Sequence, residues 1–149
     1  MEKSFEYRIY PNAEQRVLIA KTFGCCRYVF NRALTERTKA VGQSPNASGS
    51  GLSEQNLALV NKWMKEDETK WLNEVDPIAL RLTLKDLDRA FRNHSSSPEK
   101  YGFPRLKLRK EKQSYRTTNV AINDAKHVKI AKIGIVKAKI CRPLTGRMF

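Results

Sequence analysis

The chain has 149 residues, of which 40% are hydrophobic and 30% charged, and it carries a formal net charge of +14 with a pI near 10.0. This length suits one domain, or two small modules that share a core. No apolar run approaches the roughly 18 residues of a membrane span, and the start MEKSFEYR lacks the apolar core of a secretory signal, so we expect a cytoplasmic protein without a membrane partner. The excess of basic charge indicates a polyanionic partner.

The basic charge is concentrated towards the C-terminus. Residues 99–149 contain 14 Lys and Arg against 3 Asp and Glu, a net charge of +11, whereas the first 98 residues have 15 against 12, a net charge of +3. A solvated Lys-rich surface that only aids solubility is one explanation. Gly, Pro and aromatic residues lie within the basic run, and they favour a nucleic-acid surface instead.

The first predicted elements are a short strand and a long helix. Apolar and charged residues alternate from Phe5 to Ile9, which is typical of a strand, and Pro11 ends it. Asn12 and Gln15 have the spacing of a capping box, so a helix begins there. An apolar stripe at helical spacing runs to about Ala40 and predicts a buried face.

Two further helices are predicted after a loop at 42–51 that is rich in Gly and Ser. Ser53 can cap the second helix. The residues expected to face the core on this helix and after it are Leu57, Val60, Met64, Trp71 and Leu72. Asp76 followed by Pro77 is a strong start signal for the third, which should reach about Asn93.

The third helix has two stripes. The apolar stripe consists of Leu80, Leu84, Leu87 and Phe91, and the basic stripe of Arg81, Lys85, Arg89 and Arg92. Such a helix can lie along a nucleic-acid backbone. It can equally be an ordinary surface helix with salt bridges through Asp86 and Asp88.

The C-terminal residues predict a basic sheet. In the stretch from Tyr101 to Asn119, which we call the basic segment, Leu106 and Leu108 alternate with basic residues, so a strand with one apolar and one basic face is expected. Three more strands are predicted at 114–122, 128–130 and 136–140.

These elements together predict an α+β fold. An isolated N-terminal strand needs a sheet to join, and the C-terminal strands are the only ones available. We therefore expect residues 1–11 and 99–149 to form a small antiparallel β-barrel or sheet, with a three-helix bundle, residues 12–98, inserted between them.

No catalytic or metal-binding pattern emerges. The three cysteines lack zinc-ligand spacing and are expected to be reduced core thiols. His94 and His127 have no acidic partner at a useful spacing and are expected at the surface. After Glu99 only Glu111 and Asp124 are acidic, too few for two-metal phosphodiester chemistry. We expect no metal, no cofactor and no nuclease site.

Five blocks, in this order and spacing, resemble the N-terminal half of the TnpB (OrfB) family of transposon-encoded RNA-guided DNA endonucleases, which is related to type V CRISPR effectors. The blocks are YRIYPNAEQ, FGCCRYVFNRAL, KWLNEVDPIALRLTLKDLDRAFRN, YGFPRLKLRK with SYRTTN, and KIGIVKAKICRPLTGR. They cover essentially the whole chain. The resemblance implies a wedge-like split β-barrel with an inserted helical recognition domain, in a region described for the family as helix-turn-helix.

The resemblance also implies that the basic wedge and the helices bind a structured guide RNA, and that the helical domain and wedge read a transposon-adjacent motif in double-stranded DNA. Carried over by position, it places Pro77, Arg81, Thr118 and Asn119 at the motif contact. Pro77 departs from the family pattern because it has no long polar side chain. The candidate nucleic-acid-binding residues are Arg105, Lys107, Arg109, Lys110, Lys112, Arg116, Arg81, Lys85, Thr118, Asn119 and Arg27.

In this family the nuclease is a RuvC-like domain with three acidic residues, C-terminal to all five blocks, and this sequence stops at Phe149 before it. The resemblance therefore predicts a recognition half that is not itself an enzyme, acting alone, with a separately encoded nuclease half or with a full-length relative. The alternative is a non-functional remnant, or a basic accessory protein that binds nucleic acid loosely.

Overall fold

The computed structural model describes residues 4–43 and 52–140, with the side chains of 4–39 and 58–140. Its elements are β1 Arg8–Tyr10, α1 Ala13–Gln43, α2 Leu52–Lys65, a 3-10 helix Asp67–Glu74, α3 Pro77–Ser96, β2 Val120–Asp124, β3 His127–Ile130 and β4 Gly134–Lys139. The α+β prediction is confirmed. Most of the expected 42–51 loop, and Cys141, lie outside the described residues. None of the described helices has the length and apolar character that crossing a membrane requires.

The strands form one antiparallel sheet in the order β1-β4-β3-β2. Ile9 pairs with Ala138 and Tyr10 with Lys137, so the N-terminal strand joins the C-terminal ones across the helical insertion, as predicted. Closure into a barrel is not observed: β1 and β2 are the edges of the described sheet. Pairing begins at Arg8, three residues later than the alternation predicted.

The helical unit forms around the predicted apolar stripes. Asn12 and Gln15 close the capping box reciprocally, with backbone-to-side-chain distances of 3.0 and 2.9 Å. Asp76 caps α3 by accepting a hydrogen bond from the Ile78 backbone N–H at 2.9 Å. Stripe residues of α1 and α3 are buried in a common core: Cys26, Phe30, Leu34, Leu80, Leu84 and Leu87. Both helix starts and the buried faces were therefore predicted correctly.

Trp63 of α2 is a core residue that the sequence pattern did not select. It is 1% exposed and packs with Val60 and Leu72 in the buried cluster. The apolar spacing favoured Met64, which is only partly buried. Trp71 was expected to dock on the core but remains 39% exposed at its edge.

The strand predicted at residues 105–109 does not form. This part of the basic segment has no regular secondary structure, and Leu106 and Leu108 are 53% and 48% exposed. It lies instead on α1, where Asn31 both accepts from the Lys107 N–H at 2.8 Å and donates to the Lys107 carbonyl at 3.0 Å. The Asn31 side chain thus supplies the donor and the acceptor that a neighbouring strand would otherwise provide to the Lys107 backbone.

Two other strand boundaries also differ from prediction. β2 starts at Val120 rather than Ser114, because helix side chains hold the residues before it. β4 starts at Gly134 rather than at residue 136, and the Gly134 φ of +99° follows a turn in which Lys132 has a φ of 64°. Glycine adopts this left-handed conformation without the penalty a side chain brings.

Candidate nucleic-acid interface

The solvent face of α3 carries four exposed cations, Arg81, Lys85, Arg89 and Arg92. The row extends over roughly 16 Å at the rise of an α-helix. Asp86 and Asp88 do not neutralise it, because their ion-pair partners are Arg116 and Arg37. Within residues 4–43 and 52–140, none of the four has an ion-pair partner. The row is thus positive charge that the described chain leaves uncompensated.

Three of these cations converge with a fourth on one hollow of about 430 Å³, which Lys85, Arg89, Arg92 and Arg116 line together with Leu82 and Asp88. The Arg116 guanidinium is held by Asp86, and the buried Asp88 pairs with Arg37. The other three cations remain for an external anion. Guanidinium and ammonium groups grouped in this way suit phosphate oxygens.

The structure does not place the candidates of the basic segment on one strand face, since that strand is absent. Arg105, Arg109, Lys110 and Lys112 are exposed, and their side chains have no ion-pair partner in the described part of the chain. Lys107 differs, because its ammonium lies 4.5 Å from the Phe30 ring centroid in a cation–π contact. Lys107 and Arg116 are thus already engaged within the chain.

Arg27 lies beside a groove of about 800 Å³ along α1. Its Nη1 is 3.4 Å from the Gln113 side-chain oxygen, a contact that links α1 to the end of the basic segment. Tyr28 and Trp71 pack edge to face in the groove at 4.9 Å. Two other cations of the groove are paired with carboxylates, Lys21 with Glu74 at 3.4 Å and Arg32 with Glu66 at 3.2 Å. This groove is therefore less positive than the α3 row.

The structure brings the end of the basic segment to the start of α3, as the resemblance implied. Thr117 donates a hydrogen bond from its hydroxyl to the Asp76 carboxylate, immediately before Pro77. Thr118 and Asn119 follow with exposed side chains. Arg81 lies one turn further along the same helix.

The sheet has a basic face whose residues were not among the candidates. Arg8 pairs with Lys139, Tyr10 with Lys137 and Lys129 with Ile135, and residues paired in this way share a face. The buried Val128, Val136 and Ala138 occupy the opposite face. From the sequence, the alternation at 136–140 indicated only that the lysines of β4 share one face. Finding Arg8 and Tyr10 beside them required the strand register.

Arg8 and Lys139 are a like-charge pair directly across two strands. Such pairs destabilise a sheet. An anion bound at this face would relieve the repulsion, so the sheet is a second candidate contact surface.

Cysteine and histidine contribute no reactive site in the described residues. Cys25 and Cys26 are buried, and burial raises the pKa of the Cys25 thiol to about 11, far from thiolate formation at neutral pH. His127 lies 2.8 Å from the Asp124 carboxylate, so the prediction that it lacks an acidic partner was wrong. The hydrogen bond from the Lys126 N–H, and then that from His127, lower the pKa of Asp124. No group of three or more potential metal ligands occurs among the residues described.

Comparisons with known proteins agree with the resemblance. Residues 1–44 match a family described as a helix-turn-helix domain, that of OrfB in IS605 elements. The chain is 36% identical over 115 residues, 76% of its length and 27% of the relative's, to a protein of Streptomyces pristinaespiralis named as a candidate RNA-guided DNA endonuclease. It is 27% identical over 147 residues, 97% of its length and 35% of the relative's, to InsQ of Escherichia coli K12, which is named in the same way.

These matches confirm the resemblance to the N-terminal region of the TnpB/OrfB family. The chain spans about a third of the length of these relatives, or less. The family description and the geometry differ in one respect. Within the matched residues that the structure describes, β1 is followed by the single long helix α1, and no turn divides it.

Proposed function

We propose that this chain binds nucleic acid as the recognition part of a transposon-associated, RNA-guided nuclease. The observation that carries the proposal is the uncompensated row of cations on α3, three of which line one hollow. A helix that buries its apolar face and presents unpaired guanidinium and ammonium groups is suited to a phosphate backbone. The names of the two relatives support the RNA-guided class.

Within this function we assign two kinds of contact. The α3 row and the exposed cations of the basic segment contact the phosphates of a structured guide RNA, a type of contact that sets affinity without reading sequence. Arg105, Arg109, Lys110 and Lys112 contribute most in the basic segment, because Lys107 and Arg116 already have partners. Thr118 and Asn119 read base edges of a motif in double-stranded DNA, since a hydroxyl and an amide can pair with them.

Salt titration tests the phosphate contacts. We would measure RNA affinity against salt concentration for the wild type and for a variant with Arg81, Lys85, Arg89 and Arg92 all replaced by Gln. Each lost phosphate contact lowers the log–log slope by about 0.7–0.9, so we expect a decrease of about 3 units. A variant with Lys21→Gln and Lys70→Gln is the control, because both lysines are paired with carboxylates. An unchanged slope in the fourfold variant would contradict the assignment.

Selection from a duplex library tests the base contacts. Asn119→Ala should leave the salt slope unchanged and reduce the preference among DNA sequences by about 1–3 kcal/mol at the affected base pair. Lys110→Ala should lower the salt slope and leave the preference among DNA sequences unchanged. Binding with a steep salt slope and no sequence preference in the wild type would favour a loosely binding basic protein.

A further inference from the structure

Residues 115–117, at the end of the basic segment, are anchored to the helical unit one after another. Tyr115 packs edge to face on Phe23 of α1, with ring centroids 5.7 Å apart. The Arg116 guanidinium is paired with Asp86 of α3. Thr117 donates its hydroxyl to Asp76. Three consecutive side chains therefore fix the backbone just ahead of Thr118.

Asp76 serves two elements at once. It is 2% exposed. One of its carboxylate oxygens accepts from the Ile78 N–H and caps α3, and the other accepts from the Thr117 hydroxyl. Because burying a carboxylate is unfavourable without hydrogen-bond donors, both of these hydrogen bonds stabilise Asp76 in its buried position. The start of α3 and the basic segment are thus joined through one side chain.

The Thr117 hydroxyl also holds the backbone of Asn119. It accepts a hydrogen bond from the Asn119 backbone N–H at 3.1 Å, and the Asn119 carbonyl accepts one from the Ala131 N–H at 3.1 Å. The Asn119 backbone is therefore held on both sides. The side chains of Thr118 and Asn119 are exposed, and neither has a hydrogen-bond partner in the part of the chain that the structure describes.

We propose that Asp76 and Thr117 are positioning residues that set the orientation in which Thr118 and Asn119 meet a base edge. This inference rests on the proposed function, in which those two side chains read DNA. Recognition of a base edge depends on donor and acceptor directions, so it needs a backbone fixed by a second layer of contacts. A segment ordered before binding also loses less conformational freedom on contact. Thr117 acts through its neighbours, not by touching the base.

The test compares Thr117→Val with Thr117→Ser in the full chain. Valine keeps the size of threonine but neither donates to Asp76 nor accepts from Asn119, whereas serine keeps the hydroxyl. For each variant we would measure the affinity ratio between the preferred duplex selected by the wild type and a scrambled duplex, together with the salt slope. We expect Thr117→Val to lower the ratio about as far as Asn119→Ala does, on the order of tenfold, with an unchanged slope. Thr117→Ser should keep the wild-type ratio.

Three further variants separate a positioning role of Thr117 from a general effect on folding. Thr38→Val is the matched control, because its hydroxyl bonds only locally, to the Leu34 carbonyl at 2.7 Å, and it should keep the ratio. Adding Thr117→Val to a variant with Thr118→Ala and Asn119→Ala should lower the ratio no further, since Thr117 acts only through those two side chains. Asp76→Ser, which can still cap α3 but is too short to reach Thr117 as well, should reproduce Thr117→Val.

These measurements can show separately whether the proposed function fails or only the positioning role of Asp76 and Thr117 fails. A wild type that binds duplex DNA without sequence preference would overturn base reading itself, and the inference with it. A wild type with a preference that Thr117→Val leaves intact would overturn the inference alone. A further loss when Thr117→Val is added to Thr118→Ala and Asn119→Ala, or a lower salt slope in Thr117→Val, would also overturn it.

Discussion

α3 and the basic segment share one sequence pattern but differ in how that pattern folds. Both alternate leucines with cations at a regular spacing. In α3 the leucines of the apolar stripe, Leu80, Leu84 and Leu87, are fully buried, and the cations face solvent. In the basic segment Leu106 and Leu108 are about half exposed, and no strand forms.

The difference lies in where the backbone finds its hydrogen bonds. A helix satisfies its backbone groups internally, so its periodicity alone fixes which face is buried. A strand needs a neighbour, and none of the four described strands pairs with residues 105–109. The basic segment is left to bond with α1 through Asn31. Periodicity is thus a weaker predictor for strands than for helices.

Leucine truncation measures this contrast directly. Leu84→Ala should reduce the free energy of unfolding by about 2–5 kcal/mol, because it opens a cavity in a closed core. Leu108→Ala should cost at most about 0.5 kcal/mol, since the side chain is 48% exposed. Urea denaturation of both variants gives the two values. Equal losses would mean that the basic segment packs as a strand after all.

Alkaline pH should reduce the stability of the buried helical core, which contains Cys25. The folded state raises the pKa of Cys25 from 9.0 to about 11, mainly through burial. Stability from the neutral thiol is complete below about pH 9 and is lost as pH rises through about 11, a loss on the order of 2 kcal/mol. Burial also raises the pKa of Cys26 and Tyr115, which adds to the loss.

Unfolding measured from pH 8 to 11 should therefore show a shallower fall in Cys25→Ala than in the wild type. Thr35→Ala, on the same helix but exposed, serves as the control and should keep the wild-type profile. Identical profiles for Cys25→Ala and the wild type would show that the thiol is not desolvated.

Detaching the basic segment from α1 should have a smaller effect. Asn31→Ala removes both hydrogen bonds to the Lys107 backbone, which at a partly exposed site should cost about 1 kcal/mol. Hydrogen exchange at the Lys107 amide should accelerate, while amides in the middle of α3 keep their protection. Unchanged exchange at Lys107 would contradict the role given to Asn31.

The sequence predicts the parts of the fold that depend on interactions between residues close together in the chain. Asn12 with Gln15, and Asp76 with Pro77, mark their helix starts through contacts one turn long. The contacts that shape the site join Asn31 to Lys107 and Asp76 to Thr117, which are 76 and 41 residues apart. Nothing in the spacing of threonines indicates that Thr117, rather than Thr118, is the one held by Asp76. Likewise, the basic face of the sheet depends on the register of Tyr10 with Lys137.

The α3 row is proposed to bind phosphates because the described residues leave its charge uncompensated, and two lysines provide the sharpest test of this role. Lys85 lies in the row without an ion-pair partner among the described residues, whereas Lys70 on the 3-10 helix is also exposed but is paired with Asp67 at 2.7 Å. Salt titration of RNA binding should show that Lys85→Gln lowers the log–log slope by about 0.7–0.9, while Lys70→Gln leaves it unchanged. Equal changes in the two variants would mean that only net charge matters and that α3 is no specific contact surface.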